Sequence, residues 1–186
     1  MIKTKQDLKY YLNEDAKRNG CSYPSYYLWQ FLGAENACAY RYLRCMRKYE
    51  YHVNNRQNSL YHRLLSYYYK IKVIHFGRKY SIQITPNTCG YGLRLLHLTG
   101  GGILLNVNKV GNYCGFNSGV VLGNKGSQEN RPEIGDHVAF GPGAKAFGKV
   151  SIGNNVFVAP NAVVTKDIPS NVIVGGVPAK IIRKRE

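Results

Sequence analysis

Apolar residues along the chain follow two rhythms that meet near residue 80. In the first half they recur at steps of three and four. Leu28, Leu32, Ala39, Tyr42, Met46 and Tyr49 predict a helix over roughly 25–50, and Leu60, Leu64, Tyr67 and Ile71 predict another that ends before Gly77. Asn54-Asn55 separates the two. An earlier helix is predicted from a capping box at Thr4-Lys5-Gln6-Asp7, with Asp in place of the usual Glu, to Arg18, where Asn19-Gly20 stops it.

In the second half the period is six. Positions 98, 104, 110, 116, 122, 128, 134, 140, 146, 152, 158 and 164 are apolar at every point except Gln128. The residue four further on, from 138 onward, is Val138, Ala144, Val150, Val156, Ala162 and Ile168. Six suits neither a helix face nor a hairpin array. It suits a coil of short strands with a turn every six residues, three turns closing one triangular rung. The first position points inward, its fourth successor packs beside it, and the rungs stack because none buries a core alone. Gln128 falls in the polar stretch Lys125–Glu133, read as a loop thrown out of the coil, either lining a binding face or a solvated insertion. The organisation expected is a helical region over 1–80, a coil over 81–178 and a basic tail over 179–186.

Composition sharpens the boundary. Residues 1–80 hold 14 of the 16 tyrosines, and residues 81–186 hold 17 of the 20 glycines. No segment is apolar enough to cross a membrane as a helix, and the polar start predicts no signal peptide. Five scattered cysteines without a C-x-x-C pair argue against disulfides and zinc, so no metal is expected and the reducing cytoplasm fits best. The net charge of +16 asks for an anionic partner. No nucleic-acid motif is present, and none is expected to bind. The Arg41–Lys48 cluster and Tyr67-Tyr68-Tyr69-Lys70-Ile71-Lys72 suggest either a plain basic surface or peripheral contact with an anionic membrane at its inner face.

Three segments carry a resemblance. Ile134-Gly135-Asp136-His137-Val138-Ala139-Phe140-Gly141-Pro142-Gly143-Ala144, Asn161–Pro169 and the finish Val174-Gly175-Gly176-Val177-Pro178-Ala179-Lys180-Ile181-Ile182 resemble the hexapeptide-repeat acyltransferases. The resemblance implies a mainly β fold, a left-handed parallel β-helix with an N-terminal α-helical region, a homotrimer and acetyl-CoA as co-substrate. Leu95-Leu96-His97-Leu98-Thr99-Gly100-Gly101 is similar to the serine acetyltransferase branch. That branch carries an aspartate where Leu96 stands and a histidine where Arg131 stands. These departures resemble relatives that acetylate sugar hydroxyls in capsule and exopolysaccharide synthesis. The expected activity is therefore O-acetylation of a sugar, with serine acetylation as the alternative.

Acetyl transfer from a thioester to an alcohol needs a base for the hydroxyl proton, donors for the oxyanion, and both substrates held together. His97 is the expected base, and backbone N–H groups at glycine corners are expected to serve the oxyanion. Without the aspartate, His97 needs another orienting partner, a backbone carbonyl or Asn106. Asn106 either touches acceptor or base or is a turn asparagine, and Arg131 either grips an acidic group or is a solvated loop charge. His52, His62, His75 and His137 are read as structural or surface residues. The resemblance assigns the coenzyme A arm to the turns around Gly141 and Pro160, and its nucleotide end to Thr165, Lys166, Lys180 and Arg183.

Overall fold

The computed structural model describes residues 1–22 and 26–185. Four helices come first: α1 (Lys5–Arg18), α2 (Tyr26–Phe31), α3 (Glu35–Asn54) and α4 (Leu60–Tyr80). The capping box opens α1. Thr4 Oγ1 accepts from the Asp7 N–H at 3.0 Å, and the Asp7 carboxylate accepts from the Thr4 N–H at 2.8 Å.

Two expectations for this half need correction. The single helix over 25–50 is broken at Leu32–Ala34, where Gly33 takes a φ of 79°, and its predicted start at residue 25 lies outside the described residues. The later helix does not end before Gly77 but runs through it. There glycine serves close packing, since a Cβ would stand 2.7 Å from the Ile82 carbonyl oxygen. The apolar stripe used to find α4, Leu60, Leu64, Tyr67 and Ile71, faces outward; Phe76 and Gly77 face the core.

The second half is a parallel coil with three faces. The first face stacks Ile82–Ile84, Ile103–Leu105, Val121–Gly123, Lys145–Phe147 and Val163–Val164. The second stacks Lys109–Val110, Glu133–Ile134 and Ser151–Ile152, with bridges at Cys89 and Ile168. The third stacks Arg94–Leu95, Gly115–Phe116, Ala139–Phe140, Phe157–Val158 and Val172–Gly175, and closes with the antiparallel strand Lys180–Lys184. The segment read as a tail is therefore a paired strand as far as Lys184; Glu186 lies outside the described residues.

The expected inward positions from Val110 to Val164 are buried, Gln128 excepted, and so is every residue of the Val138–Ile168 series. Leu104 is the exception in the first coil: Ile103 and Leu105 point inward instead. The cause is a short corner: Leu105 stands five positions before Val110, where Ala146 stands six before Ile152, so the phase slips at Asn106–Asn108. Upstream, Leu95 and Leu105 pair with Phe116 and Leu122 of the next coil, so the connection bearing His97 is four residues longer than its neighbour. The loop after Gly123 lengthens another corner in the same way.

One buried cluster joins the halves. Arg47 on α3 is wholly buried, with Nε 2.9 Å from Asp15 and Nη1 3.1 Å from Glu50. Its guanidinium also donates to the carbonyls of Cys89 and Gly90. The second oxygen of Asp15 accepts from the Leu93 N–H, and that of Glu50 from the Asn87 N–H. Burial works against the Arg47 charge, but Asp15 and Glu50 outweigh it and hold its pKa above the ordinary value. Arg41 lies over the Phe76 ring and Arg44 bonds to Tyr26 and Tyr27, so the Arg41–Lys48 cluster is no free cationic surface.

Candidate active site

Three columns of corners run along the coil. On the edge between the third and first faces lie the His97 corner, Asn117–Gly119, Gly141–Gly143 and Ala159–Asn161. Between the first and second faces lie Asn106–Asn108, the loop 124–132 and Thr165–Asp167. Between the second and third lie Gly111–Tyr113, Gly135–His137 and Gly153–Asn155.

His97 begins its corner in a left-handed conformation, φ 55°, and leads into a short 3-10 turn at Leu98–Gly100. Its ring is two-thirds exposed, at 67%. Nδ1 stands 4.0 Å from Oε2 of Glu35 in the first turn of α3, while Oε1 of Glu35 accepts from the Leu98 N–H. This carboxylate, and not Asn106, stands beside the His97 ring, a neighbour that pattern reasoning missed. Sixty-two positions separate the two residues, and no motif links a helix start to a distant corner.

Asn106 sits on the next edge, where its Nδ2 donates to Asn124 at 3.1 Å. Arg131 joins it there, Nε donating to Asn108 at 3.0 Å and Nη1 to Asn106 at 3.4 Å. Within one chain the whole width of the first face separates this cluster from His97.

Gly141 and Pro160 share His97's edge, two and three coils further on. The passage is close: a Cβ on Gly141 would stand 2.8 Å from the Pro160 nitrogen. From the His97 coil to the Pro160 coil is three strand spacings, about 14 Å. Lys180 and Arg183 are exposed on the strand that ends the third face beside this edge. Thr165 and Lys166 lie across the first face and do not join them. The corner N–H groups of Gly119 and Gly143 donate to Gly102 and Ser118, so they are not free to serve an oxyanion.

The other histidines have partners of their own. His52 and His62 meet Nδ1 to Nδ1 at 2.9 Å between α3 and α4, and burial, with help from His62 and Lys48, pushes His52 down to about 4. His137 stacks on Tyr113 at 5.2 Å on the third edge, and His75 meets the Phe76 ring. The buried thiols of Cys89 and Cys114 are pushed up to about 11 and about 12 by desolvation and offer no nucleophile near neutrality. A cleft of about 760 Å³ lies between α4 and the first face, lined by Val73, Ile74, Arg78, Ile103 and Val121 among others, and touches the His97 corner only at Gly102.

No family model matches the chain. Among curated proteins, the serine acetyltransferase of Synechococcus elongatus is 35% identical over 105 residues, 54% of this chain and 42% of that protein. The serine acetyltransferase of Buchnera aphidicola subsp. Acyrthosiphon pisum is 33% identical over 181 residues, 95% of this chain and 60% of that protein. The chain thus spans about two-fifths to three-fifths of the curated relatives it matches. Among solved structures, serine acetyltransferase from Brucella abortus strain S19 superposes with a TM-score of 0.72 at 22% identity, covering 98% of this chain and 71% of that one. The Neisseria gonorrhoeae serine acetyltransferase in complex with serine gives 0.68 at 25% identity, covering 96% and 70%.

Stacked hexapeptide coils behind a helical region define the class: this is a hexapeptide-repeat β-helix protein. Within that class the relatives it resembles in sequence are serine acetyltransferases. Among the described residues no helix is long and apolar enough to cross a membrane.

Proposed function

We propose that the chain transfers an acetyl group from acetyl-CoA to the hydroxyl of serine, with His97 as the general base. The observation that carries this reading is the shared edge. An exposed histidine in a lengthened corner heads a column of close-packed corners, which ends beside a cationic strand. A thioester at His97 leaves its pantetheine arm along Gly141 and Pro160 and its phosphates within reach of Lys180 and Arg183. The relatives favour serine over the sugar acceptor expected from Leu96 and Arg131. Arg131 spends two donors on Asn106 and Asn108, which positions it and leaves the rest of its fork for a carboxylate. A homotrimer belongs to the same reading, because two edges that face apart in one chain face each other between neighbours around a threefold axis. A water-soluble acceptor requires no membrane contact by α4.

The test is a thiol-release assay with acetyl-CoA and either L-serine or a panel of saccharides. Serine should be acetylated with kcat/KM of ~10⁴ M⁻¹s⁻¹ or more, an ordinary enzyme level, and saccharides poorly. Saturable turnover with a saccharide and none with serine would overturn the acceptor. Equal turnover by His97→Ala would overturn the base, whose loss should lower kcat by at least ~10²-fold.

A further inference from the structure

We infer that Glu35 is the positioning residue for His97, a carboxylate delivered by the helical region to take the part left open by Leu96. The inference rests on the reading of His97 as the base. Both Glu35 oxygens are committed to the His97 corner: Oε1 accepts from the Leu98 N–H, and Oε2 stands 4.0 Å from the His97 Nδ1. The first bond ties the carboxylate to the backbone one residue beyond the imidazole. The second separation is ion-pair distance; a hydrogen bond there needs closure by about 1 Å, a tightening usual when a site fills. Glu35 is 37% exposed, so it is neither a solvated charge nor a buried one.

The chemistry follows from which ring nitrogen faces the carboxylate. An anion beside Nδ1 favours the tautomer with its hydrogen on Nδ1 and leaves the Nε2 lone pair free. As the hydroxyl oxygen attacks the thioester carbonyl, its proton passes to Nε2. The C–S bond then breaks, and the departing thiolate takes that proton from Nε2 and leaves as the thiol. Between those events the ring carries a positive charge, which Glu35 stabilises. The carboxylate neither touches substrate nor exchanges a proton.

The decisive substitution is Glu35→Gln, which keeps an oxygen for the Leu98 N–H while removing the charge. We expect kcat to fall at least ~10-fold while both KM values stay within about twofold, the signature of an interaction that matters in the transition state alone. The second readout is ¹⁵N NMR of labelled protein, with the His97 signal assigned by its loss in His97→Ala. In the unsubstituted protein neutral His97 should carry its hydrogen on Nδ1, and in Glu35→Gln the two tautomers should mix. A His97 held as the Nε2–H tautomer in the unsubstituted protein overturns the inference, whether or not the variant folds. So does an unchanged kcat in Glu35→Gln alongside a crippled His97→Ala, which leaves the base reading standing. Full activity in His97→Ala rejects the base reading itself.

Discussion

Five imidazoles of one chemistry are sorted here entirely by what surrounds them. His52, buried against His62 and under Tyr69, is held near 4 against an ordinary 6.5. Its neutral form is the one the fold accommodates, so the unfolded chain binds a proton first as pH falls. The stability it contributes is complete above about pH 6.5 and is lost progressively toward pH 4. Thermal melts should therefore show Tm dropping by a few degrees between pH 7 and pH 5, and His52→Gln should flatten that slope. An unchanged slope in the variant would assign the loss to other groups. His97, with its ring open to solvent, differs from His52 in nothing the sequence displays except its neighbours. Arg47 makes the same point for charge. Written in a run with Arg41, Arg44 and Lys48, it reads as part of a basic surface, yet it is the fully buried pin between α3 and the first coil. Removing one partner of such a cluster strands the others' charges without water, a cost of about 3–5 kcal/mol.

Elements were legible where one physical cause made the pattern. The six-residue period from Val110 onward has a single origin, the inward residue of each short strand, and it named the core correctly through Val164. It failed at Leu104 because the corner Asn106–Asn108 is one residue shorter than its counterpart between Ala146 and Ile152, which sets Leu105 and not Leu104 inward. In α4 a three-and-four rhythm found the helix but not its buried side, since periodicity reveals that a stripe is apolar and says nothing of what covers it. Gly77 misled in a related way. A glycine late in a helix pattern is usually a stop, but here it lets α4 approach Ile82. The closing strand is the remaining case: Lys180-Ile181-Ile182-Arg183-Lys184 looks like a loose tail and is paired with Val172–Gly175, with a bulge at Ile182. Deleting it would bare the end of the third face, so its charges are better tested by Lys180→Ala combined with Arg183→Ala. Phosphate charge does not change during acyl transfer, so cations near the nucleotide end bind ground and transition states alike. KM for acetyl-CoA should rise about 10-fold with kcat unchanged, if one or two charge-assisted hydrogen bonds are lost. The penalty should shrink in high salt. A fall in kcat with KM unchanged would place these residues nearer the reacting centre than the strand allows.

For the molecule as a whole, the spread of the candidate residues over two edges is the fact to be explained. His97, Gly141 and Pro160 occupy one edge of the coil; Asn106, Arg131, Thr165 and Lys166 occupy another, across the first face. A linear sequence hides this, because only eight residues lie between His97 and Asn106 while the strand Ile103–Leu105 carries the chain from one edge to the other. If each site in a trimer takes His97 from one chain and Arg131 from its neighbour, each residue can be supplied by a different copy. His97→Ala and Arg131→Ala should then both be weak alone. Denatured together in equal amounts and refolded, random mixing pairs an intact His97 edge with an intact Arg131 edge at roughly one site in four. About a quarter of the unsubstituted activity should return, with the stoichiometry checked by native mass spectrometry. Hybrid trimers that form and stay inactive would place both residues' work within a single chain, and the two edges would then need separate explanations.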